Sequence, residues 1–237
     1  MIRSILLLTP LVVTLLCGCP NERSTASAQL AETNYFRIET PGGEIVVRLY
    51  DETPLHRDNF RELAAKGAFD STLFHRVIAG FMIQGGDPNS RDADPSNDGS
   101  GGPGYTIPAE IRPELYHKRG ALAAARRHDD VNPERESSGS QFYIVHGTIF
   151  PREMLLEMQS RNRETYGDST FAFSHEALDT YTTVGGAPNL DGGYTVFGEV
   201  VSGMEVVDYI TRVATTPPNR PLVPMWMRVS AALDWNR

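Results

Sequence analysis

Cys17, Cys19, six histidines and the stretch Gly99-Ser100-Gly101-Gly102-Pro103-Gly104 are the residues of this 237-residue chain whose types first suggest chemistry. Both cysteines lie near the start, so a domain beginning after them has neither a disulfide nor a thiolate. His56, His75, His117, His128, His146 and His175 show no paired metal-ligand spacing and have no cysteine to join them, so no metal site is expected. The glycine stretch satisfies G-x-G-x-x-G. Pro103 and Pro108 nevertheless forbid the helix that a dinucleotide site needs, and no strand precedes it. With no G-x-S-x-G elbow and no phosphate loop either, the residues offer no nucleophile and no cofactor.

The elements that would position any site are those of a small β protein. Tyr35 to Thr40 and Glu44 to Tyr50 alternate apolar and polar residues around Pro41-Gly42-Gly43, which predicts a hairpin. Thr53-Pro54 supplies a capping side chain and a first-turn proline, and Phe60, Leu63 and Ala64 continue at helical spacing, predicting a helix from Pro54 to Lys66. Short apolar runs follow at Phe74–Ile78, Phe81–Gln84, Ala121–Ala125, Gln141–Val145 and Tyr194–Val200, with a second helix over Met204–Ile210 and a closing strand over Trp226–Ala232. Short strands with frequent turns favour an antiparallel sandwich or closed barrel. With 40% hydrophobic residues the chain can bury one substantial core, so a single decorated domain, acting as a monomer, is expected. The net charge of -8, without a basic stripe, argues against a nucleic-acid partner.

Residues 1–18 read as a signal peptide, with Arg3 in a charged start and an apolar run from Ile5 to Leu16. That run is shorter than the ~20 apolar residues of a membrane-spanning helix. Leu16-Cys17-Gly18-Cys19 resembles the bacterial lipobox, which implies cleavage after Gly18 and lipidation of Cys19. Cleavage near Ala26-Ser27-Ala28, giving simple secretion, is the alternative. Residues 19–33 are polar and read as a flexible tether, and 34–237 as the folded domain. The expected location is the bacterial cell envelope, with the domain held to the membrane by lipid and facing the periplasm or exterior.

Three blocks carry a stronger signal. Phe74-His75-Arg76-Val77-Ile78-Ala79-Gly80-Phe81-Met82-Ile83-Gln84-Gly85-Gly86-Asp87 resembles the signature block of the cyclophilins. Ser138-Gly139-Ser140-Gln141-Phe142-Tyr143-Ile144 resembles their second block, and Leu190-Asp191-Gly192-Gly193-Tyr194-Thr195-Val196-Phe197-Gly198 their third. The resemblance implies a mainly β fold, a closed eight-stranded antiparallel barrel with two capping helices, and peptidyl-prolyl cis/trans isomerase activity without a cofactor. Its partners would be proline-containing polypeptides, among them exported proteins that need folding. Carried over by position, Arg76 is the catalytic residue. Phe81, Met82, Gln84, Gly99, Ala125, Gln141, Tyr143, Leu190 and Tyr194 form the substrate groove, and His75 is a neighbour of the site.

These residue types suit the reaction. In the twisted transition state the proline nitrogen regains a lone pair, so a donor aimed at it binds that state better than the planar amide. Arg76 is the donor proposed, while Phe81, Met82, Tyr143 and Leu190 would grip the ring and Gln84 and Gln141 would hold the substrate backbone. Arginine or an aromatic alone would more often be a surface or core residue; their joint occurrence in ordered blocks carries the reading.

The sequence also departs from the familiar pattern. Arg126 stands where Asn is usual, Asn189 where many members have Trp, Tyr194 in place of His and Tyr143 in place of Phe. Without that Trp, weak cyclosporin binding is expected. Residues 147–188 replace a short loop and should hold structure of their own, with one helix around Met154, Leu155 and Met158 and another capped by Ser174. Because every carried-over residue lies outside it, the insertion is expected to be dispensable for turnover of a short peptide. A non-catalytic proline-peptide binder and an envelope scaffold acting through the insertion remain alternative readings.

Overall fold

The computed structural model describes residues 33–92 and 94–235. The expected signal peptide, the lipidated Cys19 and all of the tether except Thr33 lie outside the described residues. The first hairpin forms as expected, with β1 (Tyr35–Thr40) and β2 (Gly43–Leu49) paired in register. Its turn is tight because Gly43 has φ +126 and because a Cβ on Gly42 would strike the Tyr209 ring. Then come α1 (Pro54–Ala65), β3 (Arg76–Ile78), β4 (Met82–Gly85), β5 (Thr106–Ile107), β6 (Ala121–Arg126) and β7 (Ser137–Val145). After these, α2 (Arg152–Tyr166), α3 (His175–Thr183), β8 (Val196–Ser202), α4 (Met204–Ile210), β9 (Thr215–Thr216), β10 (Arg220–Pro221) and β11 (Arg228–Ala231) complete the chain.

Eight strands pair antiparallel in the order β11-β1-β2-β8-β6-β7-β4-β3 around a core that includes Phe36, Ile38, Phe60, Phe142, Ile144 and Val207. The sheet curls into the expected barrel but does not close as a continuous ladder. Its ends are joined by an isolated bridge, Leu73 to Trp226, flanked by bonds such as Phe74 N–H to the Met225 carbonyl at 2.8 Å. The expected closing strand therefore shortens to Arg228–Ala231, since its first residues serve this seam.

The helix expected at Pro54 is present, but Thr53 does not cap it: its side chain makes no bond to a helix amide, and among the described residues its buried hydroxyl has no partner. The cap comes from far along the chain. Glu110 accepts the Leu55 and His56 amides at 3.1 and 3.0 Å, and its Oε2 lies 2.7 Å from His56 Nδ1. A carboxylate reaching into the first turn satisfies the orphan amides and complements the helix dipole better than a hydroxyl would.

The insertion is structured as expected. Ser174 Oγ accepts the Ala177 amide at 3.0 Å to start α3. Helices α2 and α3 pack around Leu155, Phe173, Ala177, Leu178 and Tyr181, a small core of their own. Thr148 and Gly186 exchange backbone hydrogen bonds at 3.2 and 3.0 Å and pinch its neck.

Glu110→Ala should lower stability by about 2–4 kcal/mol in urea unfolding, because it leaves two helix amides and the His56 ring short of a partner. Burial pushes the pKa of His56, His75 and His146 below the usual 6.5. Between the folded and unfolded values only the unfolded chain binds these protons, so stability is complete above pH 6.5 and declines below it. Unfolding free energies at pH 7.5, 6.5 and 5.5 should show this loss, at most about 1.4 kcal/mol per pH unit for each histidine.

Candidate active site

Strand periodicity builds the site. Across β3, β4, β7 and β6 the residues Arg76, Gln84, Tyr143 and Ala123 stand opposite one another in register. Directly paired residues share a face, so this row projects from the outside of the barrel. Ile83, Phe142 and Ile144, at the intervening positions, face the core. The outer face is also apolar: Met82, Ala121, Ala123, Tyr143 and Val145 form a second cluster with Ala187, Leu190 and Val196. The segment from Ala187 to Val196 covers part of this face, and what remains open is a groove of about 260 Å³.

Eight of the ten expected residues line that groove: Arg76, Phe81, Met82, Gln84, Ala125, Tyr143, Leu190 and Tyr194. Met82, Tyr143 and Leu190 are buried, and Phe81 is half-buried at the rim. Gly99 and Gln141 line a wider depression of about 1120 Å³ instead, which shares Gln84, Ala125 and Arg126 with the groove. The two depressions run together across Gln84. His75 sits behind the row, buried.

A chain of hydrogen bonds links the two depressions. Arg76 Nη1 donates to Gln84 Oε1 at 3.1 Å, and Gln84 Nε2 donates to Gln141 Oε1, also at 3.1 Å. Gln141 Nε2 then donates to the carbonyls of Gly99 and Gly101 at 3.0 and 2.8 Å. Each amide is oriented by the next, so the Gln84 oxygen is turned to the arginine. Among the described residues Arg76 makes no other hydrogen bond, and its exposed guanidinium keeps four of five N–H donors free beside an apolar slot.

Sequence reasoning flagged Arg126 as a departure without assigning it a place, and it missed His128; both line the groove. Strict alternation puts Arg126 on the core face of β6, opposite to Ala123 and Ala125. A shift of register between Ala124 and Arg126 turns it back. Its side chain, only 2% exposed, stacks on Tyr194 with the guanidinium carbon 4.3 Å from the ring centre. It donates to the Gly193 carbonyl at 2.7 Å and pairs with Asp129 at 2.5 Å. Arg126 is thus part of the wall, its charge already matched, rather than a second cation pointing at a ligand.

The floor is aromatic. Tyr143 and His117 lie nearly parallel at 6.0 Å, while Tyr194 meets both edge-on at 6.3 and 6.4 Å. Burial pushes the Tyr143 hydroxyl well above its usual pKa of 10, so it stays protonated and donates. The site therefore combines a shape for one small apolar ring with a charged donor at its edge and amide groups alongside, and among its groups nothing is placed as a nucleophile.

Comparison with known proteins gives a consistent result. A family model described as "Cyclophilin type peptidyl-prolyl cis-trans isomerase/CLD" matches residues 35–230. The chain is 34% identical over 190 residues to peptidyl-prolyl cis-trans isomerase CYP18-1 of Arabidopsis thaliana, a match covering 78% of this chain and 87% of that protein. It is also 34% identical to a Streptococcus pyogenes protein whose name joins a phosphatase to a peptidyl-prolyl cis-trans isomerase, but spans only 35% of that longer protein. A crystal structure of a Cryptosporidium parvum cyclophilin type peptidyl-prolyl cis-trans isomerase in the presence of the dipeptide Ala-Pro superposes with a TM-score of 0.59. Identity there is 25%, covering 83% of this chain and 98% of that one.

Proposed function

The chain belongs to the family of cyclophilin-type peptidyl-prolyl cis-trans isomerases, and on that premise we propose that it turns X-Pro bonds in exported proteins, with Arg76 as its catalytic residue. The observation that carries this reading is the row of Arg76, Gln84 and Tyr143 across three strands, which sets a free guanidinium beside a slot of one-ring size.

Rotation about an X-Pro bond crosses ~18–20 kcal/mol because resonance gives the C–N bond double-bond character. As the bond twists, conjugation is lost and the nitrogen becomes a hydrogen-bond acceptor, which it is not in the planar amide. A proline ring seated among Phe81, Met82, Tyr143 and Leu190 brings that nitrogen to the edge where Arg76 projects. The Gln84 oxygen holds the guanidinium from behind, so the donor does not have to be ordered during the reaction. A charge-assisted hydrogen bond is worth ~1.5–3 kcal/mol, or ~10- to 150-fold in rate. The apolar slot adds to this by disfavouring the charge-separated planar form. Main-chain groups of the client on either side of proline would lie along Gln84 and Gln141, so that one end is fixed while the other turns.

The proposed setting is the cell envelope. Clients there emerge unfolded, and an uncatalysed prolyl step takes tens to hundreds of seconds, long enough to limit folding. Lipidation of Cys19 would keep the domain at the membrane, stably so if two or more acyl chains are attached.

In a protease-free isomerisation assay, Arg76→Ala should lower kcat/KM at least about tenfold while peptide affinity stays within about threefold, because the slot is untouched. Wild-type protein that binds peptide without accelerating rotation would make it a binding module instead. Cys19→Ala should move the full chain from the membrane to the soluble fraction; an unmodified mature N-terminus near Gln29, read by mass spectrometry, would reject the lipid anchor.

A further inference from the structure

The isomerase reading assigns nothing to the insertion, and the sequence places it outside the site. Its contacts say otherwise. Asp191, the residue after Leu190, has its carboxylate buried and bonded from three directions. Oδ1 accepts the His117 amide at 2.8 Å and lies 2.6 Å from His117 Nδ1; Oδ2 accepts the Tyr181 hydroxyl of α3 at 2.6 Å. A carboxylate facing Nδ1 fixes the ring so that Nδ1–H donates and Nε2 accepts, and Nε2 is 2.9 Å from the Tyr143 hydroxyl. The bonds thus run without a gap from a helix of the insertion to the floor of the proline slot.

A second attachment acts on the same turn. Asn162, buried on α2, donates to the carbonyls of Pro188 and Asp191 at 2.8 and 3.0 Å, the two residues that bracket Leu190. Tyr166, at the end of that helix, donates to the Asn189 carbonyl at 3.0 Å, and its ring occupies the space that a side chain on Gly193 would fill. Both ends of the turn that carries Leu190 therefore hang on the insertion. Burial raises the Tyr181 hydroxyl, like that of Tyr143, well above its usual pKa, so both ends of the relay remain donors.

We propose that the insertion sets the geometry of the proline slot through this buried relay, with Tyr181, Asp191 and His117 as positioning residues that hold the Tyr143 ring, and with Asn162 holding the Leu190 wall. The proposal rests on the isomerase reading for its ligand, a proline ring, but not for its geometry. Tyr143 is where the two meet: a phenylalanine there would fill the slot equally well, whereas the hydroxyl serves only the relay. On this proposal the slot of this chain is supported from outside the barrel, and residues 147–188, expected from the sequence to be dispensable for peptide turnover, are needed for full peptide affinity.

The test is a double-mutant cycle in the full chain, using Tyr181→Phe, Tyr143→Phe and both together, read as the Kd for a short Ala-Pro peptide and as kcat and KM in the isomerisation assay. Each single change should weaken peptide binding about three- to tenfold, and Tyr181→Phe, which lies outside the slot and leaves Arg76 and Gln84 untouched, should keep kcat within about twofold of wild type. The double variant should bind no more weakly than Tyr143→Phe alone, since the relay is already cut. A merely structural role for Tyr181 would lower the unfolding temperature and leave Kd unchanged, or would multiply with Tyr143→Phe; either result overturns the proposal. If Tyr181→Phe does not fold, Asn162→Ala carries the test, and an unchanged Kd overturns it. Wild-type protein that binds peptide without catalysis would sink the isomerase reading alone, because the Kd cycle still decides the relay.

Discussion

Strands β4 and β7 are apolar on both faces, and that constraint governs the rest of the molecule. Ile83, Phe142 and Ile144 are used by the barrel core, which leaves Met82, Tyr143 and Val145 on a surface that water would otherwise cover. At roughly 25 cal/mol per Å² of apolar area, a bare face of that size is costly, so chain must be laid over it. The segment from Ala187 to Val196 does this incompletely. The groove is the part of the outer face left uncovered, and it is apolar for that reason.

A strap of this kind needs fixing, because a loop gains little by ordering itself. Here the fixing is polar and buried. Asp191 accepts three hydrogen bonds, and Arg126 matches its charge with Asp129 while lying on Tyr194. Each departure from the familiar pattern thus has a neighbour that accommodates it. The Tyr143 hydroxyl finds His117, Arg126 finds Tyr194, and the absent Trp leaves Asn189 exposed, with Tyr166 bonded to its backbone. A satisfied network of this kind rigidifies a site, whereas removing one member strands the others.

The main ladder strands, both capping helices, the insertion helices and the gathering of eight of the ten expected residues around one groove were legible because they rest on local patterns or on ordered blocks of sequence. What was not legible depends on residues far apart along the chain. Thr53 looked like the cap of α1, yet Glu110, more than fifty positions on, supplies it. His117 carried no signal at all: its partners are Tyr143 and Asp191, Asp191 in turn holds Tyr181, and nothing in their spacing marks them as neighbours. Arg126 was assigned no place in the groove because it departs from the familiar pattern, and alternation along β6 would not have placed it either, since a register shift turns it back to the outer face. Closure of the barrel was overstated for a related reason, since strand patterns show which residues pair well but not whether the last two edges meet.

The pairing of β1 has a mechanical consequence. The chain enters the described fold at β1, which is laddered on one side to β2 and on the other to β11, with Phe36 facing both Val47 and Ala231. Tension arriving from residues ahead of Tyr35 is therefore taken in shear by two sets of hydrogen bonds at once. Strand β7, which carries Tyr143, is the fourth step away in the sheet, roughly 19 Å along the curl at ~4.8 Å per strand. In a domain held at its N-terminus that load would first meet β1, β2 and β11, strands that carry none of the groove residues.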